Sequence, residues 1–130
     1  MPRKHAKSIS WFTVIGALAA FTHYVIAVGF ERSAILNPEQ ANIAGFILAF
    51  PVSYFGHRRF SFAGNVSSHR NTFPRFLSVA LLGFLANQTL VISTLKYTKL
   101  PFWFVLGFVM VFVAISTYIL SKYWAFKGAR

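Results

Sequence analysis

Two adjacent arginines, Arg58 and Arg59, stand among aromatic residues in the stretch Tyr54-Phe55-Gly56-His57-Arg58-Arg59-Phe60-Ser61-Phe62-Ala63-Gly64. A guanidinium is a planar fork of donors that can pair two phosphate oxygens at once. Aromatic rings beside it suit the headgroup layer of a bilayer. The chemistry on offer is capture of a lipid phosphate, with His57 beside the pair and Arg75 opening the next apolar run. The same charges would also serve topology alone, as positive residues holding a helix end in the cytoplasm. A second version follows 64 positions later, from Tyr118 to Gly128, where Lys122 falls on Arg58, Trp124 on Phe60 and Phe126 on Phe62. The two basic clusters make the candidate lipid-phosphate set Arg58, Arg59, Arg75 and Lys122.

A second group of polar residues lies inside apolar runs, where they are costly and are functional candidates by default. His23, flanked by Thr22 and Tyr24, falls on Asn87 at the same offset, and Tyr24 falls on Gln88. A polar pair therefore recurs at one depth in both halves. Interhelical hydrogen bonds are one reading, typically worth about 0.6–2 kcal/mol. The other is a polar path for a sugar head-group, formed by His23, Asn87 and Gln88. Asn42, at the start of another apolar run, fits the path or a cap or interface position.

Several chemistries are missing. Cysteine is absent, and the four histidines at 5, 23, 57 and 69 form no i, i+4 pair with a carboxylate nearby, so no metal site or thiol chemistry is expected. No nucleophile elbow, phosphate-binding glycine loop or dinucleotide fingerprint occurs, and neither His23 nor His57 has an orienting acid. An enzyme and a cofactor are therefore not expected. Both acidic residues, Glu31 and Glu39, fall in one short loop. That weakens a proton-coupled multidrug exporter, which needs a carboxylate inside the membrane.

The elements that position these residues follow from composition. The chain has 130 residues, 56% hydrophobic, 18% aromatic and only 12% charged, against about 25% charged in soluble domains. So small a protein cannot hide that much apolar surface in its interior. An all-α integral membrane protein is expected, a single transmembrane domain of four spans. The net charge of +11 points to anionic lipid and not to nucleic acid, because the basic residues flank apolar runs. The first span reads as Ile9–Phe30, continuing well past the length of a cleaved leader's apolar core. The second starts at Ala41. Its run to Phe55 spans only about 22 Å, so it should continue through Phe60 or Phe62, with the arginine heads reaching the interface. Pro51 should kink or loosen it. Ala41, Gly45, Ala49 and Ser53 give a small-residue face for close helix packing, within the hairpin or between protomers. The third span reads as Phe76–Leu95, with Asn71 or Thr72 capping a helix that begins near Pro74. The fourth reads as Pro101–Leu120.

The 64-residue offset makes the chain two copies of one hairpin, repeat 1 at about 9–64 and repeat 2 at about 73–128. Ten Lys and Arg lie in the N-terminal segment, middle loop and C-terminal segment, against Arg32, Lys96 and Lys99 on the other side. Both termini are therefore expected in the cytoplasm, with the two hairpins in parallel topology.

The chain resembles the GtrA-like family. The likeness rests on Tyr54-Phe55 leading to Arg58-Arg59-Phe60-Ser61-Phe62, and on Tyr118-Ile119 leading to Lys122-Tyr123-Trp124-Ala125-Phe126. Arg75-Phe76 opens the second copy, Trp11-Phe12 followed by Gly16 the first, and Ala41-Asn42 begins the second helix. The family's usual Asn before the basic cluster is Tyr in both copies, so a role for that Asn does not carry over. The resemblance implies a bacterial inner-membrane protein of cell-surface polysaccharide synthesis. It would flip a polyprenyl-phosphate-linked sugar, such as undecaprenyl-phosphate-glucose, to the periplasmic leaflet. Alternatively it would anchor a partner glycosyltransferase. With four helices, a groove at a homodimer interface is expected over an enclosed tunnel.

Overall fold

The computed structural model describes residues 2–61 and 69–120, with side chains over 10–60 and 73–116. Among the described residues the chain is all-helical, as expected. Helix α1 runs Pro2–Arg32 and α2 Pro38–Gly56, a π-helix follows at His57–Ser61, then come α3 His69–Tyr97 and α4 Phe102–Leu120. The segments Ser10–Arg32 and Phe73–Tyr97 are long and apolar enough to cross a membrane, and Phe102–Ser116 is a shorter apolar helix. The chain divides into two compact units, Met1–Leu82 and Gly83–Arg130, with the division inside α3. One expectation is corrected here. The third helix starts at His69, so Asn71 and Thr72 do not cap it and Pro74 lies within it. Proline there removes one backbone bond. The rings of Phe73 and Phe76 pack on Tyr54 at centroid distances of 5.1 and 5.6 Å and hold the turn in helical geometry.

The α1–α2 hairpin is small and polar inside and bulky and apolar outside. Ile15, His23 and Ala27 of α1 are buried, together with Ala41, Asn42, Gly45 and Ala49 of α2. These positions recur at multiples of four along each helix, apart from Asn42, and form facing stripes. Meanwhile Leu18, Phe21, Val25, Ile47 and Leu48 are exposed, Phe21 by 68%. A soluble helix shows the reverse arrangement, and this inversion fits a lipid solvent. Close approach depends on Gly45. A Cβ there would meet the His23 carbonyl oxygen at 2.7 Å and its ring Cδ2 at 2.7 Å. The small-residue face is thus used within the hairpin. At Gly56, a Cβ would meet the Ile15 Cγ2 at 2.7 Å, which a rotamer change can relieve.

The connection between α1 and α2 is tighter than its polar sequence suggests. The Ile35 N–H donates to the Phe30 carbonyl at 3.2 Å and the Ala34 N–H to the Glu31 carbonyl at 3.0 Å. This is a Schellman closure, with Ala34 at φ 59° in the position glycine usually takes. Asn37 then caps α2. Its Oδ1 accepts from the Gln40 N–H at 2.8 Å, and the Gln40 Oε1 accepts from the Asn37 N–H at 3.3 Å. Pro38 follows as the first helical residue, where no N–H is needed. Left-handed geometry costs a side chain about 1 kcal/mol, so Ala34→Gly is expected to stabilise the protein by about 0.5–1 kcal/mol in a denaturant titration in detergent.

Candidate phosphate-binding end and the buried polar pair

The expected continuation of α2 through the arginines is present, but with a change of geometry. At His57 the helix widens into a π-helical turn that carries Arg58 and Arg59. Such turns re-aim side chains and occur often at functional sites. Aromatic rings from two other helices fix it. Trp11 of α1 stacks on Phe60 at 4.6 Å, and Phe12 meets the His57 ring at 4.8 Å. From α3, Phe76 reaches His57 at 5.8 Å. Phe50 lies 6.1 Å from Tyr54 and extends the cluster along α2. His57 is buried and follows the end of α2. It serves as a ring in the cluster.

Within this frame the two arginines differ. Arg59 is exposed, with its guanidinium carbon 5.7 Å from the Phe60 ring centre. Arg58 is half-buried, and its Nη1 is buried with no hydrogen-bond partner among the described residues. Leaving a buried donor unmade costs about 1–3 kcal/mol, and more for a charged group. The chain's acidic side chains, Glu31 and Glu39, belong to the opposite end of the hairpin. From Glu39 to Arg58 the helix rises about 28 Å. Arg75 is exposed on α3, next to the Phe76 that packs on this end. Lys122 lies outside the described residues, as does most of the Tyr118–Gly128 copy.

The second polar group is built differently. His23 Nε2 lies 2.7 Å from Asn42 Oδ1, and both residues are buried, Asn42 completely. With the amide oxygen as acceptor, Nε2 carries a proton and donates it. His23 is nine residues from the Arg32 end of α1, about 14 Å along the axis, so the pair lies deep in the hairpin. Asn42 is therefore an interhelical partner, while the cap of α2 is Asn37. Residue types alone did not reveal this pairing. Its only signal was Asn42 lying three residues before Gly45, on the edge of the small-residue face.

In the second unit, Asn87 is buried and Gln88 half-buried on α3. That unit also carries an open apolar groove of about 330 Å³, lined by Leu90, Thr94, Leu100, Phe104 and Phe108 among others. Its walls suit hydrocarbon and offer a sugar almost no partner. No group of three or more His, Cys, Asp or Glu that could hold a metal occurs among the described residues.

A helical hairpin with an inverted surface, ending in an arginine pair on a turn fixed by aromatic rings, defines a small helical membrane protein. The chain belongs to the GtrA/DPMS transmembrane-domain family, whose model matches residues 11–126. This is the family of polyprenyl-phosphate-sugar translocases and synthase-associated proteins. No curated protein and no solved structure matches the chain.

Proposed function

We propose that this protein is a flippase for a polyprenyl-phosphate-linked sugar such as undecaprenyl-phosphate-glucose, acting in a bacterial inner membrane during surface-polysaccharide modification. The observation that carries the reading is the arginine pair on the π-helix in a chain of this family. Arg58, Arg59, Arg75 and Lys122 hold the lipid phosphate at the cytoplasmic interface, with both termini on that side and the two hairpin repeats in parallel. His23, Asn87 and Gln88 pass the sugar hydroxyls across, with Asn42 beside His23, while the prenyl tail stays in lipid. A homodimer groove would provide the route. In reconstituted vesicles, Arg58→Ala combined with Arg59→Ala is expected to slow lipid-sugar movement about 100-fold, as for the loss of two charge-assisted contacts. Wild-type rates in that variant would refute the assignment.

One observation favours a second reading, a non-transporting anchor for a polyprenyl-phosphate glycosyltransferase. The His23–Asn42 bond is buried within the hairpin, so passing sugar would require that bond to open. An anchor predicts co-purification with the enzyme and wild-type activity of that enzyme when both positions carry leucine.

A further inference from the structure

Resting on the phosphate-binding reading of the π-helical end, we infer that the two arginines have unequal roles: Arg58 is the inner ligand that directly holds a phosphate oxygen through Nη1, and Arg59 is an outer charge screened by solvent. Three observations converge on this division. First, Arg58 Nη1 is buried and without a hydrogen-bond partner among the described residues, whereas Arg59 is exposed beside the Phe60 ring. Second, the hairpin offers Arg58 no acidic side chain: Glu31 and Glu39 are a helix length away, so a counter-anion would come from outside it. Third, the turn beneath Arg58 is fixed by the Trp11–Phe60 stack and by the contacts of His57 with Phe12 and Phe76. A backbone turn held in this way gives the Arg58 side chain a fixed base, which limits the freedom lost on binding. The ligand chemistry is a phosphate oxygen, supplied by a lipid headgroup or by free phosphate.

The two roles separate by salt. A buried charge-assisted bond is weakly screened, whereas an exposed charge is strongly screened beyond about 8 Å at physiological ionic strength. The test measures equilibrium binding of radiolabelled polyprenyl phosphate to full-length protein in neutral-lipid nanodiscs, at low and high salt. Arg58→Gln is expected to weaken binding about 10- to 100-fold at both salt concentrations. Arg59→Gln should weaken it only about threefold at low salt, and less at high salt. Arg58→Lys, which retains charge without the planar fork, should fall between Arg58→Gln and wild type, and it guards against a loss caused by misfolding. Competition by inorganic phosphate would identify a free anion as the source, and equal competition by phosphatidylglycerol a general headgroup site. Equal losses from Arg58→Gln and Arg59→Gln, or a larger loss from Arg59→Gln, would overturn the division of roles. Arg58-dependent binding without vesicle translocation would remove the flippase reading and leave this inference standing.

Discussion

Replacing Gly45 with leucine is expected to separate α1 from α2 and to lower stability by about 3 kcal/mol or more. Overpacking a buried site ordinarily costs about 1–3 kcal/mol, because neighbouring side chains can shift. Here even the first added carbon would meet the His23 backbone oxygen at 2.7 Å, with the Ala27 Cβ at 3.1 Å. Backbone within a helix cannot rotate aside, so the helices must move apart. That movement would also stretch the His23–Asn42 bond, which crosses the same interface one turn away. The effect can be read as a drop in melting temperature in detergent, with Gly56→Ala as the comparison. At Gly56 the neighbour is the Ile15 side chain, so the cost should stay below about 1.5 kcal/mol. Equal behaviour of the two variants would mean that the hairpin is not packed through Gly45.

The second large effect is non-additive. His23→Leu and Asn42→Leu each remove the buried bond that crosses the hairpin, at a cost of about 1–3 kcal/mol apiece. Changing both removes the need along with the bond, so the double variant should be more stable than the sum of the two losses predicts. In hydrocarbon such pairs are typically worth about 0.6–2 kcal/mol net. A double-mutant cycle by thermal unfolding in detergent measures the coupling. Strict additivity would show that the two side chains do not depend on each other. The double variant then tests function with folding preserved. The polar-path role of His23 requires transport to fall, whereas an anchor tolerates the change.

The helices were legible because lipid imposes long apolar runs. Ile9–Phe30, Phe76–Leu95 and Pro101–Leu120 lie within α1, α3 and α4 with small differences at the ends. The face Ala41–Gly45–Ala49 was legible as a close-packing surface, because its spacing matches the helix repeat. What it packs against depends on a partner helix, so the spacing alone left two answers. The Asn37–Gln40 capping box was readable in principle but was hidden in a loop defined only by polarity. The π-helix was not legible, since its extra residue is set by ring contacts from Trp11, Phe12 and Phe76. The same holds for the early start of α3, where tertiary aromatic packing outweighs the local preference of Pro74. In the candidate site, the arginine pair was visible as a motif. The difference between Arg58 and Arg59 appears only once burial is known.

The most direct test is the initial rate of transbilayer movement of a labelled polyprenyl-phosphate-linked glucose in vesicles containing the purified protein. Flippase activity predicts a rate at least about tenfold above protein-free vesicles, a barrier lowered by ~1.4 kcal/mol or more. A rate equal to that of protein-free vesicles, with the protein folded and inserted, would contradict it.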